Sequence, residues 1–197
     1  MINKIDTIVI DFDGTAYNTI EVIVDLYNED FSAYSDYKKV DWSEIETWDF
    51  TELKCASREY INAYFNQPRF FNTIQPMPYF NEVIDRLKDK FHIVFCSCGY
   101  SPNLKLKKEF LKERYPYAEF IGVNLKDYDD KSHVNMKNAL FLDDSIRNLT
   151  SSNASIKVLF GDDYEWNKGW NGLRCYNWYD VIRSIPRWID FEIKKKG

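Results

Sequence analysis

The sequence has little of what marks membrane, secreted or nucleic-acid-binding proteins. No apolar run approaches the 18 or so residues of a membrane span, so no membrane partner is expected. Basic residues are outnumbered, 26 against 31 acidic, and the net charge of −5 argues against attraction to a nucleic acid polymer. The obvious basic cluster, Lys194-Lys195-Lys196, reads as a solvated C-terminus. Cysteines number only four, and the spacing Cys96-x-Cys98 fits neither a zinc knuckle nor a thioredoxin motif. We read all four as reduced thiols packed as small apolar groups in a cytoplasmic protein. The N-terminal segment Ile5–Ile10 carries Asp6 and lacks a cleavage-site pattern, so it does not read as a signal peptide. No internal repeat and no low-complexity segment is present.

The chain is rich in hydrophobic residues (45%) and aromatic ones (17%). At 197 residues it is long enough for one full core with a small appended subdomain. Short apolar runs predict strands at 5–10, 92–96, 119–123, 139–142 and 156–160, with a weaker one at 173–176. Two are nearly continuous in apolar residues, as suits parallel strands covered on both faces. Between them, Phe80, Val83, Ile84 and Leu87 recur at helical spacing within 79–90. Ser101-Pro102 reads as an N-cap followed by proline at the first helical position, opening a helix that ends before Pro116. A short helix is expected from Ser145 to Leu149. This alternation predicts an α/β fold with a doubly wound, Rossmann-like parallel sheet. No strand is expected between Ala16 and Met77, where helical periodicity appears in 20–31 and 55–65. The expected division is therefore a catalytic core of residues 1–15 and 77–197 and a helical cap of residues 16–76.

Two acidic pairs carry the chemistry. Asp11-Phe12-Asp13-Gly14-Thr15 follows the first apolar run, where two carboxylates two positions apart can face one cavity. Gly14 lets the chain turn away. Asp143-Asp144 follows the run 139–142. In a parallel sheet neighbouring strand ends converge, and several carboxylates meeting there form a hard-oxygen site suited to Mg²⁺. Ser97 follows the second strand, with Gly99 close behind, and can hold phosphate oxygens. Lys131, or else Lys126, precedes the strand leading to Asp143 and can neutralise an aspartate and a phosphate together.

Asp-x-Asp-Gly-Thr, a serine after the second strand, a lysine and Asp-Asp, in that order over residues 5–150, resemble the haloacid dehalogenase (HAD) superfamily. Within it the chain is similar to the 5′(3′)-deoxyribonucleotidase group. That likeness rests on Arg69-Phe70-Phe71, Pro76 and Pro78, residues 108–116, Asp130-Lys131 and Phe141-Leu142-Asp143-Asp144. It extends more loosely to residues 164–168 and Trp178. The resemblance implies a Mg²⁺-dependent phosphomonoesterase in which Asp11 is the nucleophile and Asp13 the acid and base. It implies a metal held by Asp11, the backbone carbonyl of Asp13, and Asp143, with Asp144 supporting them. Ser97 and Lys131 would hold the phosphoryl group. Two departures stand out. Ser145 occupies the place where the family often has arginine, with Arg147 two positions on, and the interval from Lys131 to Asp143 is slightly long, which keeps Lys126 in play.

The aromatic residues of 16–76, among them Trp48, Phe70 and Phe71, read either as a slot on which a nucleobase stacks or as the core of the cap itself. The expected substrate is a small phosphate ester, a nucleoside monophosphate by the resemblance. A sugar phosphate, or a non-catalytic binding role, is the alternative. The expected assembly is a monomer or homodimer.

Overall fold

The computed structural model describes residues 5–196. Six parallel strands form one sheet in the order β3-β2-β1-β4-β5-β6. They are β1 (Thr7–Ile10), β2 (His92–Gly99), β3 (Glu119–Asn124), β4 (Ala139–Asp143), β5 (Ile156–Phe160) and β6 (Leu173–Cys175). Side chains alternate between the two faces, as the period of two demands. Ile8, Ile10, Phe95, Leu142 and Val158 enter one apolar cluster, while Val9, Val94, Cys96, Phe141 and Leu159 enter another. Each fully buried side chain of this kind contributes about 1.5–3 kcal/mol. The strands expected from the sequence are all present. β2 runs three residues longer than its apolar stretch, because Ser97, Cys98 and Gly99 continue the pairing with β3 as far as Asn124.

The helices are α1 (Thr19–Phe31), α2 (Arg58–Tyr64), α3 (Pro68–Thr73), α4 (Phe80–Leu87), α5 (Ser101–Arg114), α6 (Ile146–Ser151) and α7 (Trp178–Lys196). α4 buries the four apolar residues that its periodicity singled out. α5 corrects one expectation. Tyr100, with extended backbone, is the N-cap, and Pro102 is the second helical residue. Ser101 makes no cap hydrogen bond; its Oγ accepts from Asn124 Nδ2 at 3.4 Å. Lys194 is exposed, whereas the side chains of Lys195 and Lys196 lie outside the described residues. All four cysteines are free, and no described helix is long and apolar enough to cross a membrane.

Between β1 and α4 the described chain forms α1, α2, α3 and a 3-10 turn at Trp42–Glu44, with no strand. Its two ends run side by side. The Met77 N–H donates to the Ala16 carbonyl at 2.9 Å, and the Asn18 N–H to the Gln75 carbonyl at 3.0 Å. Inside the segment, Asp30 on α1 accepts from Tyr60, Tyr64 and Arg69, which ties α1 to α2 and α3. The Arg69 guanidinium, bonded through both terminal nitrogens, holds the Asp30 carboxyl below its usual range.

α7 anchors the turn after β1. Trp178 is fully buried at its first position, and its indole N–H donates to the Thr15 carbonyl at 2.9 Å. Trp178→Ala is expected to cost about 3–5 kcal/mol in thermal or denaturant unfolding. Phe191→Ala, at a position 66% exposed on the same helix, should shift stability by no more than about 0.5 kcal/mol.

Candidate active site

The strand order reverses at β1. In such sheets the crevice at the carboxyl ends of the strands beside the reversal collects ligands. Register places the acidic residues there. Ile10 is aligned with Phe95 on β2 and with Leu142 on β4, and the Asp11 N–H extends the ladder by donating to the Leu142 carbonyl at 2.9 Å. Asp11 and Asp143 therefore leave adjacent strands at the same height. Asp11, Asp143 and Asp144 are all buried, and one carboxylate oxygen from each lies within 4.8 Å of the others.

The turn after β1 divides its residues between two environments. Phe12 goes into the core, stacked on Tyr17 with centroids 4.7 Å apart. Asp11 and Asp13, on either side of it, both line a cavity of about 290 Å³. Gly14 has φ +69°, and a Cβ there would stand 2.6 Å from Asp144 Oδ2. Glycine is required twice over, for the left-handed backbone and for room beside Asp144.

Lys131 is fully buried and bridges two of the carboxylates. Its Nζ donates to Asp11 Oδ1 and, at 2.5 Å, to Asp143 Oδ2. Lys126 is exposed, and its backbone N–H donates to Asn124. Burial alone would lower the proton affinity of Lys131, but Asp11 and Asp143 together hold its pKa well above the usual value. Asp143 is further fixed by the Ser145 N–H at 2.8 Å and by Asn148 Nδ2 at 3.1 Å to each oxygen. Burial pushes Asp11 up to about 7, opposed by Lys131 and aided by the Asp143 charge. Burial, then the charges of Asp143 and Asp11, push Asp144 well above the carboxylate range.

Asp13 stands apart from the three-carboxylate cluster. Its Oδ1 accepts from Thr19 Oγ1 at 2.8 Å, and its Oδ2 accepts from Ser97 Oγ at 3.3 Å and from Lys107 Nζ. Ser97 is fully buried at the end of β2, where its Oγ also accepts from Lys107 Nζ at 2.9 Å.

Lys107 is the main residue that the sequence reading missed. It is 1% exposed, on α5, and its ammonium lies over the Phe12 ring at 4.9 Å. A signal was present: Lys107 follows Leu104 by three and precedes Phe110 and Leu111 by three and four, so it occupies the apolar stripe of its helix. Thr19 and Asn148 carry no comparable signal, being ordinary polar residues in the first turns of helices.

The aromatic expectations divide. Trp48 lines the cavity, together with Trp166 from the β5–β6 connection. Phe70 and Phe71 do not line it. They are buried in a cluster with Phe12, Phe65 and Phe110, so for these two the packing alternative holds. A second opening of about 150 Å³ shares Asp13, Trp48 and Cys98 and adds Phe65, Asn103 and Lys107.

The charges test whether a metal fits. Four carboxylates, Asp11, Asp13, Asp143 and Asp144, face two buried ammonium groups, Lys107 and Lys131. With all four carboxylates ionised, the excess of two negative charges matches one divalent cation, and the all-oxygen donor set suits a hard one. The buried aspartate triad can bind a metal ion.

Solved structures of HAD-superfamily hydrolases share this fold. One is a subfamily IA HAD hydrolase from Geobacter sulfurreducens: TM-score 0.57, 14% identity, covering 91% of this chain and 95% of that one. Another is a HAD family hydrolase from Deinococcus radiodurans with bound phosphate and sodium: TM-score 0.60, 12% identity, covering 95% and 97%. The HAD hydrolase YfnB from Bacillus subtilis, bound to magnesium, gives TM-score 0.59 at 12% identity, covering 91% and 98%. At such identities the likeness speaks for the fold alone. No curated protein sequence matches the chain. The narrower assignment comes from the sequence family: the chain belongs to the 5′ nucleotidase, deoxy (pyrimidine), cytosolic type C family, whose model matches residues 3–189. It is a phosphoric monoester hydrolase of the 5′-nucleotidase type.

Proposed function

We propose that the protein is a Mg²⁺-dependent, cytoplasmic phosphatase that releases phosphate from nucleoside 5′- or 3′-monophosphates, deoxynucleotides included, through an aspartyl-phosphate on Asp11. The observation that carries this reading is the buried triad of Asp11, Asp143 and Asp144, with Lys131 between two of its members and a cavity opening onto it. The family's own description as a cytosolic deoxynucleotidase supports the substrate class and, with the free thiols, the compartment.

In this mechanism an Asp11 carboxylate oxygen attacks phosphorus and the bond to the ester oxygen breaks. Asp13 gives its proton to the departing alkoxide, so a nucleoside leaves. A water molecule then loses a proton to Asp13 and attacks phosphorus, which regenerates Asp11 and releases inorganic phosphate. Lys131 and Ser97 balance and hold the phosphoryl oxygens. Asp11, Asp143 and the Asp13 carbonyl would hold Mg²⁺, with Asp144 supporting them; when bound, the ion supplies charge neutralisation and a template for the phosphoryl group. Thr19 and Lys107 fix the Asp13 carboxyl, as does the Ser97 hydroxyl until it turns to the phosphoryl group, which sets the direction of its proton transfer. Residues 16–76 act as a cap that excludes water from the aspartyl-phosphate, and Trp48 offers its ring to the base.

The decisive experiment is phosphate release from a panel of nucleoside and sugar monophosphates with Mg²⁺. Nucleotides should turn over; a panel on which only sugar phosphates react would overturn the substrate assignment. Lys107→Met should lower kcat about 10²-fold, with Mg²⁺ binding retained, because it removes a preorganised charge from Asp13 and not from the triad.

A further inference from the structure

Asp144 is the one member of the triad that Lys131 does not touch. Its Oδ2 lies against Gly14 and accepts a hydrogen bond from the Trp166 indole N–H at 2.9 Å. Trp166 is itself wedged between two rings. Tyr164 stacks on it with centroids 4.3 Å apart and planes 4° from parallel, and Trp48 meets it edge-on at 5.5 Å. Trp48 belongs to the segment between β1 and β2, whereas Tyr164 and Trp166 belong to the β5–β6 connection. The same two stretches join at the backbone, where the Glu165 N–H donates to the Glu46 carbonyl at 3.3 Å.

We propose that Trp166 is a positioning residue that orients the Asp144 carboxylate for the cation and makes that orientation depend on Trp48 of the inserted segment. A carboxylate in a buried acidic cluster can turn about its own axis. An indole N–H is a donor only, so it fixes one oxygen without competing for the cation. The indole in turn is packed between the stacked Tyr164 ring and Trp48, which meets it at 72°. Seating the inserted segment over the site thus completes the setting of Asp144, and by linkage the cation favours the seated segment to the same extent. This rests on the proposed metal site and extends it to a residue outside the acidic motifs.

The test is Mg²⁺ binding by calorimetry to the full chain, compared among wild type, Trp166→Phe and Trp48→Ala. Trp166→Phe keeps a ring for Tyr164 and Trp48 but lacks the N–H. It should weaken Mg²⁺ about tenfold or more, as loss of a partner behind a metal-holding carboxylate does elsewhere, with the melting temperature in EDTA unchanged. Trp48→Ala should weaken Mg²⁺ in the same direction by a smaller factor. Tryptophan emission should change on adding Mg²⁺ to the wild type and not to Trp166→Phe. A dissociation constant for Trp166→Phe within about twofold of wild type would overturn the proposal and leave the metal site standing. Absence of Mg²⁺ binding to the wild type would overturn both. If Trp166→Phe does not fold, Trp48→Ala decides: unchanged binding there overturns the coupling.

Discussion

Asp11→Asn should release no phosphate from any substrate that the wild-type protein turns over, a loss of about 10⁵-fold or more in kcat. The amide keeps the shape of the carboxylate but is no nucleophile toward phosphorus. The fold should survive, for an electrostatic reason. Burial and the neighbouring Asp143 already push Asp11 up to about 7, so its charge is held at a cost in the absence of a cation. A neutral amide removes that repulsion, while Lys131 keeps Asp143 as its partner. The melting temperature in EDTA should therefore equal or exceed that of the wild type, whereas Mg²⁺ binding should weaken. Phosphate release by Asp11→Asn at more than a trace would sink the aspartyl-phosphate mechanism.

Lys131→Met carries the second large effect, and here stability falls with activity. Lys131 is fully buried with a carboxylate on either side. Removing one partner of a buried ionic group leaves uncompensated charge, at a cost of about 3–5 kcal/mol. For a chain of this size that is a fall of about 10 °C in melting temperature, measured in EDTA. A cation offers the triad another source of positive charge, so saturating Mg²⁺ should restore part of the loss and make the variant's stability depend more on Mg²⁺ than the wild type's does. Activity should not return, because in the proposed mechanism the Lys131 charge faces the phosphoryl group. Lys126→Ala, at an exposed position, should change neither property. The reverse pattern would transfer the phosphate role from Lys131 to Lys126.

Sequence and structure contributed different parts of this picture. Periodicity alone gave the strands and the helices α1, α2 and α4, because parallel strands buried on both faces leave apolar runs such as Ile156–Phe160, and α4 repeats its apolar residues every three or four positions. It also placed Asp11, Asp13, Asp143 and Asp144 at strand ends. The start of α5 was misplaced by one residue because Ser-Pro is as compatible with the first helical turn as with the cap; only the extended backbone of Tyr100 distinguishes the two.

The sequence by itself determined the alternating fold and the two acidic motifs, and through its family resemblance the reaction class. The fold and the motifs are local, or follow from a parallel sheet gathering its strand ends. Tertiary structure alone decided which lysine stands in the acid cluster, that Phe70 and Phe71 pack while Trp48 faces the cavity, and that Lys107 and Trp166 reach the aspartates from distant parts of the chain. Lys131 reaches Asp11 across 120 positions, and Lys107 reaches Asp13 across 94. Such pairings depend on how helices and loops are laid against the sheet, and no pattern within a short window of sequence carries that information.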